Sequence, residues 1–279
     1  MFGPKGWFDT DVSLAALDPK SAMYIKATVD AGDTGSFNAY VPPIERINLA
    51  TNGTPLLTVS PKVAYHSFPF QVPWQAGFYI EPASDAHAIV VQKDTCRLYE
   101  LYSTTFAGGI LSAYSGAGWD MTKPFSPGQY SGATASGLPL AALAVQPTEL
   151  ASGVIAHSLG WGAVGGEGKN TVGIDYVPPA HSSGGLTYSG PASDVPMPYG
   201  SHIRLRAAFD DTAYPPGAKA VTTALKRYGA FLYDTGCCDE LPFTNDASGT
   251  VAAHWTSGDG AAIGKIYITD FDVIVPSAM

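Results

Sequence analysis

The run from Asp85 to Tyr102, DAHAIVVQKDTCRLYELY, constrains this chain more than any other stretch. Val, Ile, Leu and Tyr alternate with polar residues on both sides of a polar turn at Lys93-Asp94, which predicts a β-hairpin. Register decides what such a hairpin can do. A two-residue loop puts Asp85, His87, Glu100 and Tyr102 on one face at the open end, with Ile89, Val91, Cys96 and Leu98 nearer the turn. A three-residue loop sends Glu100 to the other face, because a one-residue slip reverses every side chain. The two-residue loop is preferred: it gathers two carboxylates and an imidazole at one end and keeps the aliphatic residues together.

Around this hairpin the chain reads as many short strands. MYIKATV, SFNAYV, RINLA and PLLTVS, between residues 22 and 60, are each of strand length. So are residues 110–120, 154–161, 202–209, 230–233 and 266–275. Lys62 to Ile80 is rich in aromatics (Tyr65, Phe68, Phe70, Trp74, Phe78, Tyr79) with His66 among them, but prolines break it, so an edge strand or extended coil is expected. Residues 122–138 form a long polar loop, of the kind that commonly bears function. Pro147 to Leu150 predicts one helical turn stopped by Gly153. The one full helix expected runs from Pro216 to Tyr228. Val221, Ala224, Leu225 and Tyr228 share a stripe there, Lys226 and Arg227 suit the last turn, and Gly229 ends it. With 31 Gly and 22 Pro and no repeat period, the expectation is a mostly β chain. It takes the form of a β-sandwich or jelly roll with one short α-helix, built as a single domain over residues 1–279.

Only 14% of the residues are charged and the formal net charge is -9. That opposes binding to a nucleic-acid backbone, which needs clustered cations, and docking on anionic membranes. No apolar run is long enough to span a bilayer. An acidic, charge-poor, aromatic-rich chain suits neutral polymers and a secreted, extracellular setting; on that reading a leader has been removed ahead of Met1. The three cysteines, Cys96, Cys237 and Cys238, make no CxxC pattern. Buried free thiols and a disulfide from Cys96 to one of the adjacent pair are both open. A bridge within the adjacent pair is disfavoured by strain.

Four pieces of sequence could meet at one end of the sheets: Asp85/His87/Glu100, the 128–138 loop, His157 and His181. Carboxylates whose environments drive their pKa values apart do acid–base work. Glycoside hydrolysis uses two of them, and polysaccharide β-elimination uses a base plus a neutraliser for the sugar carboxylate. Glu100 and Asp85 are therefore the expected acid–base pair, with His87 and His157 assisting and His181 at the rim. Trp74, Tyr99, Asp120 and Trp161 are expected to bind substrate. Each has a plainer alternative: a strand histidine bonded to a carbonyl, a carboxylate capping a turn, an aromatic in the core. No HxH or HxxxH spacing supports a catalytic metal, and no cofactor is expected. A structural calcium at Asp210-Asp211 or Asp270/Asp272 is open, against a solvated turn and an outer strand face. There is no GxSxG, and no phosphate loop in GWGAVGGEG. The function expected is that of a secreted polysaccharide-degrading enzyme, a glycosidase or lyase. The alternative is a non-catalytic carbohydrate-binding or cell-surface module.

The order of motifs adds a resemblance. Asp85-x-His87, Leu98-Tyr99-Glu100, Ala135-x-Gly137-Leu138-Pro139-Leu140, Glu149 and Gly153-x-Ile155-x-His157-x-Leu159 come first. Pro178 and His181, Arg204-Leu205-Arg206, Ala224-Leu225-Lys226-x-Tyr228-Gly229 and Asp234-x-Gly236 follow. Over roughly residues 80 to 240 this is similar to a family of secreted bacterial β-rich proteins. The resemblance implies location and architecture and no reaction. The chain departs from that pattern at Thr134, where an Asp is usual before GLP, and at Gly160, where an Arg is usual after HxL.

Overall fold

Apolar alternation turns into sheet layers in the computed structural model, which describes residues 6–39, 41, 45–63, 71–126, 132–166 and 168–275. Tyr65, His66, Phe68 and Phe70 of the aromatic stretch, and residues 127–131 of the long loop, lie outside the described residues. The chain is mostly β, with 30% strand and 18% helix. In chain order the first strands are β1 (Asn38–Ala39), β2 (Ile47–Ala50), β3 (Leu56–Thr58), β4 (Ser60–Pro61) and β5 (Gln71–Pro73). Next come β6 (Ala88–Gln92), β7 (Arg97–Tyr102), β8 (Thr105–Ala107), β9 (Ile110–Ala113) and β10 (Ser115–Asp120). The last are β11 (Leu159–Gly166), β12 (Lys169–Asn170), β13 (His202–Leu205), β14 (Ala230–Gly236), β15 (Glu240–Leu241) and β16 (Phe271–Ile274).

A seven-stranded sheet runs β1-β15-β11-β14-β13-β16, with β12 folded back on β11, and a four-stranded sheet runs β10-β7-β6-β2. Two smaller sheets, β3-β5 and β4-β9-β8, lie outside these. Both main sheets are mixed: β11 is parallel to β14, β1 to β15, and β2 to β6. A purely antiparallel jelly roll has no such pairs.

The hairpin forms, but its turn is longer than the two residues expected. Gln92 pairs with Arg97, leaving residues 93–96 in the turn, with Cys96 at φ 51°. Lengthening the turn by two residues leaves the faces unchanged. The pairing slides by two positions, so Ile89 lies opposite Glu100 and Val91 opposite Leu98, and the same residues share each face. Ile89, Leu98, Ala117 and Trp119 from this face pack with Leu159, Trp161, Phe231 and Leu232 of the large sheet in one core. The opposite face, Ala88, Val90, Tyr99 and Leu101, packs with Ala50, Val59, Val72, Trp74, Leu111 and Ala113 in a second. A sheet covered on both faces explains why the hairpin reads as nearly continuous apolar sequence.

The described residues include five α-helices where one full helix and one helical turn were expected: α1 (Ser21–Asp30), α2 (Leu140–Leu143), α3 (Pro147–Ser152), α4 (Pro216–Arg227) and α5 (Ser257–Ile263). Helix α4 buries Val221, Ala224 and Leu225 as its stripe requires, and α3 ends on Gly153 at φ 70°. MYIKATV, expected as a strand, is most of α1. Its β-branched content misleads because propensity is a weak prior against tertiary packing; α1 lies against β16. The expected strand at 154–161 starts only at Leu159, and it runs on through the Gly-rich segment to Gly166. All three cysteines are free thiols: Cys96 and Cys237 are exposed and Cys238 is half-buried. Neither the buried-thiol reading nor a Cys96 bridge describes them, since Cys96 sits in the hairpin turn with its Sγ near the carbonyl of Lys93. Among the described residues no helix is long and apolar enough to cross a membrane.

Candidate functional site

A hollow of about 250 Å³ opens where the segment leading into β6 meets β14 and β15. Five carboxylates line it, Glu45, Glu81, Asp85, Asp234 and Glu240, together with His87 and Tyr233. Three segments supply them. Glu45 precedes β2, in the four-stranded sheet. Residues 81–87 form a closed loop: Glu81 N–H donates to the His87 carbonyl at 2.9 Å, and His87 N–H donates to Glu81 Oε2 at 3.0 Å. Asp85 and Ala86 pin that loop to the far end of the hairpin, accepting from Ser103 and Thr104 N–H. Asp234 and Glu240 come from β14 and β15, which flank β11 in the large sheet. The glycines of β11 let these strands carry large groups: a Cβ on Gly160 would stand 2.8 Å from the Tyr233 ring, and one on Gly162 3.0 Å from Glu240. A larger side chain at position 160, Arg included, has no room beneath Tyr233.

The electrostatics sort the acids. His87 is buried, and burial alone would lower its pKa. Its hydrogen bond and ion pair with Glu81 (Nδ1 to Oε2, 2.7 Å) win, and it is raised to about 9. Nε2 lies 3.0 Å from the Ala133 carbonyl, so both ring nitrogens donate and the ring is an imidazolium. Burial works to raise Glu81, but His87 outweighs it and holds Glu81 below its ordinary value. Burial pushes Glu45 and Asp234 up to about 6. Burial, reinforced by the charges of Glu45, Asp234 and Asp85, pushes Glu240 up to about 7. One hollow therefore holds an ionised carboxylate beside groups that keep protons near neutrality.

Ligand atoms of Glu45, Glu81 and His87 lie within 4.8 Å of one another, the one such three-residue group among the described residues. A metal there would need an imidazole lone pair, and both nitrogens of His87 are already committed as donors. The group is an ion pair beside a protonatable acid.

The expected site residues divide. Asp85 and His87 line the hollow. Glu100 does not: it is 1% exposed, and its two oxygens accept Leu140 N–H at 2.9 Å and Ala141 N–H at 2.8 Å at the start of α2. It braces the 132–141 loop from one side while His87 holds it at Ala133. His181 braces it from another, its ring stacked so close on Gly137 (φ +75°) that a Cβ there would be 2.3 Å from Cε1. Thr134, in place of the resembled Asp, donates from Oγ1 to the Leu138 carbonyl at 2.7 Å and closes the same turn. His157 is elsewhere. Its Nε2 pairs with Glu149 of α3 at 2.9 Å and its Nδ1 donates to the Ser158 carbonyl, so it fastens α3 to the start of β11. As expected binders of substrate, Trp74, Tyr99 and Trp161 need correcting: each is in a core, at 1%, 8% and 0% exposure. Trp161 donates its indole N–H to Asp239. Asp120 accepts from Thr122 and pairs with Lys123 at a surface turn. The carboxylates considered for calcium are engaged as well. Asp211 binds Lys219 and Lys226, Asp210 caps Thr212, Asp272 binds Arg206, and Asp270 caps Tyr267.

Glu45, Glu81, Tyr233 and Glu240 were not singled out from sequence. Glu45, Glu81 and Glu240 lie at a strand end or in a loop, where no periodicity flags them, and Tyr233 lies within β14, where it reads as one more core aromatic. Asp234 stood only within the resembled Asp-x-Gly. No protein-family model, no curated protein and no solved structure matches the chain.

Proposed function

We propose that the protein hydrolyses a glycosidic bond in a neutral glycan, with Glu240 as proton donor and Asp85 as the opposing carboxylate. The observation that carries this reading is the contrast within one hollow. Glu240 is half-buried and titrates near 7, while Asp85 is solvent-exposed on a loop. A carboxyl kept protonated by its surroundings beside a solvated carboxylate is the division of labour that glycoside hydrolysis uses. Glu240 protonates the departing glycosidic oxygen; Asp85 activates water or attacks the anomeric carbon. At about 250 Å³ the hollow falls just below the usual range of ligand pockets, of the order of 300–1,000 Å³, which suits one terminal sugar better than a threaded chain. We read the two facing main sheets as a sandwich and the whole chain as one domain, in keeping with residues from Phe8 to Val273 sharing one core. We place the protein outside the cell, for which its acidic, charge-poor composition speaks.

Hydrolysis is favoured over elimination because a lyase needs a cation for the uronate carboxylate. Among the described residues that line the hollow there is no Lys or Arg, and His87 has spent both N–H groups. A non-catalytic binding module is less well supported, because the tryptophans best placed in sequence to form a platform are buried. The test is digestion of a panel of neutral glycans with product analysis. Glu240→Gln and Asp85→Asn should each lower release by about 10²-fold or more. Release by Glu240→Gln equal to wild type, on any glycan the wild type cleaves, removes Glu240 as the acid.

A further inference from the structure

The turn between β14 and β15 holds an unused pair of nucleophiles. Cys237 and Cys238 are adjacent in sequence, and their Sγ atoms lie 2.7 Å apart, closer than two non-bonded sulfurs ordinarily rest. Cys237 is exposed and lines the same hollow as Glu240; Cys238 is half-buried behind it. The turn follows Gly236, which lies beside the Glu240 carboxylate, and its last residue, Asp239, is anchored by the Trp161 indole. Whatever fixes this turn fixes the segment that presents Glu240.

We infer that Cys237 and Cys238 form a reversible dithiol–disulfide couple that stiffens the turn presenting Glu240 to the hollow. The oxidant is a low-molecular-weight disulfide. The accessible Cys237 thiolate attacks one of its sulfurs, expels the first small thiolate and forms a mixed disulfide. Cys238 then gives up its proton and attacks the Cys237 sulfur, closing the Sγ–Sγ bond and expelling the second small thiol. Two protein thiols lose two electrons and two protons, and one small disulfide gains them as two small thiols. The order of attack follows from access: burial, with the neighbouring Cys237, pushes the Cys238 thiol up to about 12, which makes it the resolving group. Adjacent residues across a trans peptide have Cα atoms about 3.8 Å apart, short of the usual span of about 4.4–6.8 Å. The bond is therefore strained and exposed, and such disulfides are the labile, regulatory kind and not permanent staples.

The test uses the full chain carrying Cys96→Ser, poised in glutathione buffers of varied ratio, then alkylated and examined by intact and peptide mass spectrometry. The expected result is monomeric protein in which the peptide bearing residues 237 and 238 loses two hydrogens and both alkylation sites together, reversibly. Amides of residues 236–241 should exchange about tenfold more slowly in the oxidised form. In a Cys238→Ser variant, Cys237 should stop at the glutathione adduct. Two alkylatable thiols at every ratio, a stable adduct in the parent protein, disulfide-linked dimers, or unchanged exchange in the turn would each overturn the inference. None of these readouts depends on glycan cleavage.

Discussion

Replacing Glu100 with Gln separates a brace from a reacting acid, because the two roles predict opposite patterns. The Glu100 carboxyl is fully buried, and burial pushes it up to about 7 from 4.5, against the pull of two backbone N–H groups. A folded-state pKa above the unfolded one means the native protein holds the extra proton. The associated stability is fully present below the unfolded value and lost as pH rises through about 7. The size follows from the separation of the two values: about 3 kcal/mol between mildly acidic and mildly alkaline solution. Gln does not titrate. It keeps one acceptor oxygen and turns an NH2 towards the second N–H donor, which leaves that donor unsatisfied at a cost of about 1–3 kcal/mol. Glu100→Gln should therefore be the less stable protein near pH 5, and the deficit should close or reverse near pH 8. Urea denaturation of both proteins across that range measures it. Taking the difference between them removes the other titrating groups, provided they lie far enough away not to couple. A gap that stays constant with pH would refute the proton linkage. Full stability with abolished glycan cleavage would refute the bracing role and return Glu100 to the chemistry.

Three further outcomes follow from neighbouring groups. His87, raised to about 9 by Glu81 against the effect of burial, contributes stability that is fully present below its ordinary 6.5 and lost as pH rises through about 9. Its ring resonances should titrate near that pH, and His87→Ala should cost about 3–5 kcal/mol by stranding Glu81; a midpoint near 6.5 by NMR would contradict the ion pair. Gly137→Ala should cost about 2–5 kcal/mol in chemical denaturation, from left-handed strain and from overlap with the His181 ring. Adding His181→Ala should recover the overlap but not the strain, and a lone Gly137→Ala at wild-type stability would count against the packing. Asp239, pushed up to about 9 by burial and by Asp33, loses its stabilising proton as pH rises through that value. Asp239→Asn should gain in Tm relative to wild type between neutral pH and pH 9, and a parallel fall in both proteins would contradict the proton linkage at Asp239.

How much of this was legible depended on whether a signal was local. The faces of β6 and β7 were readable because alternation has a period of two, and a turn miscounted by two residues leaves parity intact. Helix α4 was readable because Pro216, the Val221–Ala224–Leu225 stripe and Gly229 agree with one another. Helix α1 was not: MYIKATV carries no cap or stripe strong enough to outvote its β-branched residues, and its helicity is settled by packing on β16. The fate of Glu100 could not be read from LYELY, because its partners are two N–H groups forty residues away. The misplacement of His157 has the same origin, since its strand begins two residues after it.

The acids of the hollow show where sequence reasoning must give way to environment. In a chain with so few charged residues, burying several carboxylates in one place is costly unless each is paired. Most buried acids here are paired: Glu100 with N–H donors, Glu81 with His87, Asp211 with two lysines. Glu45 and Glu240 are in no ion pair with a described residue, and both are driven up towards neutrality instead. A stability argument alone predicts that such positions drift to uncharged residues, because an apolar side chain of similar size would relieve the strain at no loss of pairing. Their presence beside an accessible Asp85 is better accounted for by a task that needs a proton held ready near pH 7.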